Sequence, residues 1–440
     1  MNKKSNSIVP KETRRNFIKE KILGGLFFAA GIPLLSFGNI FKSENATSLM
    51  FPIAPANKKM NWDEIREQFV IQKGKHYFNS ASYGPSPRVV IDHVCETLRY
   101  LESEVHTGHE LTASIHDKVS TFLNTSPDEI AITRNATEGM NIIARSLPLK
   151  AGDEILLSSH EHIGGSAPWI ALQKDIGVVI KLIDLDLTGK DNFQIIKDHI
   201  TERTKVVSFS HITCTTGMCL PAKKIVAYCR KKGIYSCVDG AQALGMISID
   251  LEDINPDFYT CSGHKWLFGP KGTGILFINK RVIEKCSPVF VGAYSDSKFD
   301  LVSLTLEYKI TAQREEYGTR NIPIMAGLGS AIDFISTIGI ENIEARGKEL
   351  AKYFRTGLSQ HPKIEILTPE DSNFSASMIT IRIKNKDNSV IRNQISREND
   401  IHVRLIHEND INGLRISFAI FNSIQEVDSL IHVLKTKASE

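Results

Sequence analysis

Beyond about residue 60 the chain alternates between short apolar runs and longer stretches with helical spacing. The runs at 154–158, 178–183, 205–210, 234–238 and 274–278 are five or six residues long and rich in Val, Ile and Phe. Runs of that length and composition predict strands buried on both faces. Residues 168–176 and 225–232, lying between such runs, predict helices. Strand and helix in turn predict a mostly parallel sheet covered on both sides. Near residue 325 the pattern changes. Residues 324–338 predict a long apolar helix with a glycine-rich start, and 341–358 a charged amphipathic one. Residues 377–383 alternate as a strand does, 415–419 make a second one, and 424–437 predict a closing helix. The whole reads as a large α/β domain followed by a smaller α+β domain, with no internal repeat. The segments fall at 1–56, 57–90, 91–325 and 326–440.

The first segment has a different character. Residues 1–21 are polar and basic, and residues 22–38 are apolar and uncharged. Seventeen residues interrupted by Gly24, Gly25, Gly31 and Pro33 make a weak membrane span. A basic region, an apolar region and then a polar stretch is the layout of a secretory signal. Thr13-Arg14-Arg15-Asn16-Phe17-Ile18-Lys19 resembles the twin-arginine export motif. Ala54-Pro55-Ala56 offers a small-residue cleavage site, and an uncleaved anchor is the alternative. The expected location is periplasmic or otherwise extracytoplasmic, reached in folded form through the twin-arginine machinery. The protein would stay membrane-anchored if the leader is retained. No cysteine precedes Cys95, which argues against a lipid anchor.

The leader also changes the meaning of the net charge. The chain carries 53 Lys and Arg against 50 Asp and Glu, a formal +3. Residues 1–56 hold eight of the basic and three of the acidic residues, so the remaining body is left with 45 against 47. The body is slightly acidic, and a nucleic-acid partner has no support. With 42% apolar and 23% charged residues the composition excludes a disordered or fibrous chain. Seven scattered cysteines exclude a disulfide framework.

The chemistry concentrates in two stretches, Val238-Asp239-Gly240-Ala241-Gln242-Ala243 and Cys261-Ser262-Gly263-His264-Lys265-Trp266. Asp239 follows a predicted strand, where an α/β sheet presents residues to a ligand. A lysine that links to pyridoxal phosphate needs a carboxylate at the pyridine nitrogen to keep that nitrogen protonated. Asp239 and Lys265 supply the two groups. Read singly, Asp239 is equally a helix N-cap and Lys265 a solvated loop residue.

At this point the residues resemble the class V aminotransferases, fold-type I pyridoxal-phosphate enzymes. The resemblance runs from about Asn61 to the C-terminus, in the branch of isopenicillin N epimerase-like proteins and cysteine desulfurases. It implies a mostly parallel seven-stranded sheet in the large domain. It makes Lys265 the cofactor-linked lysine and proton shuttle at Cα, and Asp239 the partner of the ring nitrogen. Ala241 packs on one ring face, His162 covers the other, and Gln242 bonds the phenolic oxygen. Ser262 and His264 hold the phosphate, together with Ala136 and Thr137 at a helix start. Cys214 lies beside the ring. Thr319 in Tyr317-Gly318-Thr319-Arg320 resembles the phosphate contact taken from a second subunit, which implies a homodimer. Arg415 grips the substrate α-carboxylate. Asn79-Ser80-Ala81-Ser82-Tyr83-Gly84-Pro85 resembles the segment that closes over substrate, which brings in Ser82 and Tyr83, and the side-chain pocket is expected to include Tyr83, Arg320 and residues 400–412.

Two departures bear on the reaction. Cysteine desulfurases carry a sulfur-accepting cysteine on a loop before the carboxylate-binding arginine, and residues 401–412 contain none. The usual persulfide route is therefore not expected. Cys214 stands where the desulfurases tend to have Asn and the epimerase-like branch Ser. It reads as a small buried substitute or as a reactive thiol, able to pair with Cys219 after export. Neither cysteine has a histidine at zinc-ligand spacing, and no metal is expected. The expectation for the reaction is epimerisation at Cα of an amino acid or an amino-acid-ended small molecule. Tyr83 and His162 are then the candidates for the second acid. Transamination and β-elimination from the same Cα carbanion are the alternatives. A cofactor-free binding protein and a membrane-anchored structural protein remain outside that class.

Overall fold

The computed structural model describes residues 61–440. The leader, with its export signal and cleavage site, lies outside the described residues. Seven strands form the large sheet: β1 (Ile130–Thr133), β2 (Glu154–Ser158), β3 (Val179–Ile183), β4 (Thr204–Ser210), β5 (Tyr235–Asp239), β6 (Phe258–Ser262) and β7 (Gly274–Ile278). Their order is β1-β7-β6-β5-β4-β2-β3, and β7 alone runs against its neighbours. The parallel strands β2, β4, β5 and β6 thus end at one edge of the sheet. Their last residues are Ser158, Ser210, Asp239 and Ser262.

The central strands are apolar on both faces because helices cover both sides. One side chain, Trp169, packs with Met140, Ile143, Val206 and Phe258 in the core under the sheet. β6 escapes the hydrophobic pattern because its sequence, FYTCS, mixes polar and apolar residues. All five positions are nonetheless buried, and Thr260 Oγ1 donates to backbone carbonyls of Ala136 and Ile275 at 3.3 and 3.2 Å. Satisfied hydroxyls remove the penalty of burying them.

The helices α1 (Arg88–Glu104), α2 (Thr112–Leu123), α3 (Ala136–Ser146) and α4 (Ile163–Ile176) precede or join the early strands. Helix α4 starts before the predicted Pro168, because the His162 ring accepts the Gly164 N–H at 3.0 Å and caps it. Later come α5 (Ala222–Lys232), α6 (Ile322–Ile338) and α7 (Ile340–Leu358). The glycines of α6 are packing devices. A Cβ on Gly327 would sit 2.4 Å from Val94 of α1.

The small sheet has four antiparallel strands, β8 (Ile364–Ile366), β9 (Met378–Ile383), β10 (Arg404–Ile406) and β11 (Gly413–Ser417), in the order β8-β9-β11-β10. Helices α8 (Asn388–Asn399) and α9 (Ile424–Ser439) flank it. A capping box between Ser423 and Glu426 opens α9. The core here gathers Phe78, Phe354, Ile381, Leu414 and Leu430.

Residues 76–85 tie the two sheets together. His76–Tyr77 pairs in parallel with Ile401–His402, and Phe78 sits in the small-sheet core. The Ala81 N–H donates to Ser417 Oγ at 3.2 Å. Further on, the Gly84 N–H donates to the His264 carbonyl at 2.7 Å. A Cβ on Gly84 would lie 2.1 Å from the Lys265 carbonyl oxygen, so only glycine allows this approach.

Candidate active site

A cavity of about 280 Å³ opens at the shared strand edge. Its walls include Ala136, Thr137, His162, Cys214, Asp239, Ala241, Gln242, Ser262, His264 and Lys265. These ten expected residues come from five separate stretches of sequence.

Asp239 is buried at the end of β5. Its Oδ1 accepts the Ala241 N–H at 2.8 Å, and its carbonyl accepts the His211 N–H at 2.8 Å. Lys265 lies on the turn after β6. Burial pushes its amine below the ordinary lysine range, against the pull of the Asp239 charge. Among the described residues the Lys265 amine takes part in no hydrogen bond or ion pair. A desolvated, unpaired amine beside a carboxylate is suited to moving protons.

His162 caps α4 through Nδ1, so its proton sits on Nε2. Burial, then the nearby Lys265 and Arg404 cations, push it down to about 4. At neutral pH it is an uncharged ring, fit to lie on another ring and unable to serve as a cationic acid. Gln242 is held at both ends of its amide: Nε2 donates to the Ala81 carbonyl and Oε1 accepts from Trp266 Nε1, both at 2.9 Å. Cys214 is buried, and loss of solvation pushes its thiol up to about 11. It is a poor nucleophile in this setting.

Helix α3 aims its N-terminus at the cavity. Asn135 caps it by accepting the Glu138 N–H at 2.9 Å, and Ala136 donates to Ser262 Oγ at 3.4 Å. The helix lies hard against the sheet: a Cβ on Gly139 would fall 2.0 Å from Thr260 Oγ1. Free amides at a helix N-terminus form an anion site. His264 adds to it, because its Nδ1 is buried without a hydrogen-bond partner among the described residues. An orphaned ring nitrogen beside a helix terminus is the donor set a phosphate group needs. Pyridoxal phosphate fits this chain's residues on that ground, with Asp239 for the ring nitrogen and Lys265 for the carbonyl carbon.

Arg415, fully buried on β11, closes the small-sheet side. Its Nη1 donates to the Cys214 carbonyl at 2.7 Å and its Nη2 to Ser82 Oγ at 3.0 Å. Nε is buried without a partner, and no carboxylate pairs with this guanidinium among the described residues. Burial lowers its pKa to about 10. A buried arginine with an idle donor and no counterion is set to receive a carboxylate.

Four expected residues are not on the wall of this cavity: Arg415 lies behind it, bonded to the lining residues Cys214 and Ser82, and three others lie farther off. Tyr83 is half exposed and lines a neighbouring opening with Arg134 and Lys271. Arg320 donates to the Ile132 carbonyl at 2.5 Å and lines a different cavity with His116 and Glu316. Within its own chain it does not line the Lys265 cavity. Thr319 is exposed, outside the cavity.

Two residues were missed. Arg404 on β10 lines the cavity. Its only signal was its place in the 401–412 stretch. Glu161 turns its carboxyl inward between sheet and cavity. Oε1 accepts from Ser158 Oγ at 2.5 Å and from the Ser210 N–H at 3.1 Å, and Oε2 accepts from Ser210 Oγ at 2.6 Å. A Cβ on Gly165 would be 3.1 Å from Asp239 Oδ2 and 3.7 Å from Glu161 Oε2, so the two acids are near neighbours. Burial, helped by the Asp239 charge, pushes Glu161 up to about 7. Asp239 is raised by burial too, but Lys265 and the Ala241 N–H favour its ionised form.

Fold and site together define a pyridoxal-phosphate-dependent enzyme of the α/β type. Residues 76–430 match the aminotransferase class-V family, and the chain belongs to it. It is 30% identical over 385 residues to the cysteine desulfurase of Haloferax volcanii, covering 81% of this chain and 88% of that one. The probable cysteine desulfurase of Halalkalibacterium halodurans is 30% identical over 407 residues, covering 86% and 98%. Among solved structures, the cystine C–S lyase C-DES in complex with its reaction product cysteine persulfide superposes with a TM-score of 0.77. It shares 26% identity over 82% of this chain and 98% of that one. A mutant of C-DES with glycine covalently linked to the cofactor gives 0.78 at 26%, covering 84% and 98%. These findings overturn the expectation of an isopenicillin N epimerase-like reaction. The relatives are named cysteine desulfurases, and the neighbouring structures include cysteine desulfurases as well as this C–S lyase.

Proposed function

We propose that the protein cleaves the Cβ–S bond of a cysteine-type amino acid as a C–S lyase and releases the sulfur as a small molecule. Its relatives' names favour C–S chemistry. The observation that carries release over storage is the thiol inventory at the site. Residues 401–412 contain no cysteine, and the cavity's one thiol, Cys214, is buried with its pKa pushed up to about 11.

When bound, pyridoxal phosphate supplies a protonated ring that draws electrons away from the substrate Cα. The chain's residues do the rest. Arg415 takes the α-carboxylate, and Ser82 orients that guanidinium. Lys265 removes the Cα proton, its burial keeping the amine free to accept one. Asp239 holds the proton on the ring nitrogen. The N-terminus of α3, Ser262 and His264 hold the phosphate. His162, uncharged, covers the ring face.

Products distinguish the readings. β-Elimination releases the sulfur leaving group and, after hydrolysis, a keto acid and ammonia, whereas desulfuration leaves alanine. Incubation of the holoenzyme with cystine and with cysteine, followed by product analysis, is expected to yield pyruvate and ammonia. Alanine as the sole carbon product would reject the lyase in favour of a desulfurase.

Two further proposals accompany this one. Export by the twin-arginine route rests on the leader's sequence, and mass spectrometry of the mature N-terminus tests it. A homodimer is supported by exposed Thr319 and by the hairpin at residues 296–308, which leaves Phe299, Leu301, Val302 and Leu304 uncovered. Light scattering of the purified protein tests that.

A further inference from the structure

The chemistry described so far uses Asp239 and leaves its neighbour Glu161 without a task. The β2–β4 ladder ends at the pair Leu157–Ser208, but β4 runs on to Ser210. There β4 has a strand on one side only. Ser210 stands directly opposite Asp239 of β5, and the next amide, that of His211, donates to the Asp239 carbonyl at 2.8 Å. On the other side β2 has ended, and a buried amide needs a partner. Glu161, from the turn after β2, supplies it. Its Oε1 accepts the Ser210 N–H at 3.1 Å and its Oε2 the Ser210 hydroxyl at 2.6 Å. The carboxyl stands in for the strand that β2 does not provide.

The brace is fixed at its own end as well, because Ser158 Oγ, on the last residue of β2, donates to Glu161 Oε1 at 2.5 Å. No lysine or arginine pairs with Glu161 among the described residues; the charged groups it faces are Asp239, across Gly165, and Lys265 beyond it. Its role therefore lies in its hydrogen bonds. Ser210 and Asp239 both line the cavity, and Glu161 does not. Asp239 Oδ1 is held by the Ala241 N–H, while Oδ2 accepts no hydrogen bond among the described residues and is left for the ring nitrogen. The aim of Oδ2 follows the end of β5. That end is held by β6 on one side and by the Ser210–His211 end of β4 on the other.

We infer that Glu161 is a positioning residue for the cofactor's ring nitrogen: through Ser210 it fixes the end of β4, and through β4 the aim of the Asp239 carboxylate. Glu161 itself touches neither cofactor nor substrate. The inference concerns the hold on the cofactor and does not rest on the C–S cleavage reading above.

The test compares pyridoxal phosphate with its 1-deaza analogue, which carries a ring C–H in place of the nitrogen and so cannot use Asp239. The full chain, freed of cofactor, is titrated with each compound at pH 6, and the dissociation constant is read from intrinsic fluorescence. At that pH Glu161 keeps its proton, so Glu161→Gln matches it in charge as well as shape. In Glu161→Ala the dissociation constant for pyridoxal phosphate should rise about 10-fold, the scale of one buried donor left without a partner, and that for the analogue should stay within about 2-fold. Glu161→Gln should bind both compounds as the wild type does. Ser210→Ala removes the hydroxyl bond and keeps the amide bond, so it should show the same selective loss at about 3-fold, and it decides the matter if Glu161→Ala does not fold. Equal weakening of both compounds overturns the inference, since Glu161 would then act through His162 on the ring face or support the turn. Unchanged binding in both Glu161→Ala and Ser210→Ala overturns it too. So does a Glu161→Gln variant as weak as Glu161→Ala, since its bonds would then not be what matters.

Discussion

Glu161→Gln changes one partly buried acid to its neutral isostere and keeps the contacts. The amide oxygen still accepts the Ser210 N–H, and the amide nitrogen can donate to Ser210 Oγ. Only the charge is lost. In the folded protein Glu161 titrates near 7 instead of its ordinary 4.5. Between those values the folded chain holds a proton that the unfolded chain has released. Its contribution is therefore present in full below about pH 4.5 and is lost as the pH rises through 7. At 1.36 kcal/mol per tenfold change, the gap amounts to about 3 kcal/mol. For the 380 residues from 61 to 440, an unfolding entropy of about 2.1 cal/mol/K per residue converts this to about 4 °C. Thermal unfolding of wild type and variant, with cofactor saturating, is followed from pH 5 to pH 8.5. Part of the term is already lost at pH 5, so the variant should gain about 3 °C on the wild type across that range. Parallel curves would refute the placement of Glu161 in a desolvated site next to Asp239, and a gain by the wild type would reverse its sign.

Other outcomes follow from the same geometry. Lys265→Ala should abolish turnover and the visible band of lysine-bound cofactor while leaving the far-UV circular dichroism unchanged; persistent turnover would remove the lysine from the mechanism. Arg415→Lys loses bidentate capture and the hydrogen bonds to Cys214 and Ser82, so KM should rise about 10- to 100-fold, measured by steady-state kinetics. Gly139→Ala forces a Cβ to 2.0 Å from Thr260 Oγ1. It should cost about 1–3 kcal/mol by denaturant unfolding and weaken phosphate binding through displacement of α3.

Much of the site was legible because its residues sit at ends of elements that the apolar pattern marks. Asp239 follows an apolar strand, Ala136 opens a helix, and Lys265 stands between a serine–glycine turn and a glycine-rich return. Where the pattern is weak, the reading fails. Strand β6 hides because Thr260 and Ser262 satisfy their hydroxyls inside the sheet, a fact invisible without their partners. Glu161 looked like an acid between two histidines, and nothing in its neighbours in the sequence says that Ser210, 49 residues away, turns it inward. Arg404 is one more basic residue in a polar stretch until β10 is set against β11. Tyr83 and Arg320 line neighbouring openings instead of the Lys265 cavity, because closeness in sequence to site residues does not decide the direction of a side chain.

The sequence by itself determined the alternation of strand and helix, the family, the cofactor and the Asp239–Lys265 pair. Those features rest on local apolar periodicity and on chemistry carried by residue type. Only the tertiary structure decided the charges. That Glu161 is pushed up, that His162 is neutral, that Cys214 stays protonated and that Arg404 stands opposite Arg415 all depend on desolvation and on distances between strands far apart in the chain. Those distances are set by the register of the two sheets and by residues 76–85, which lock them together.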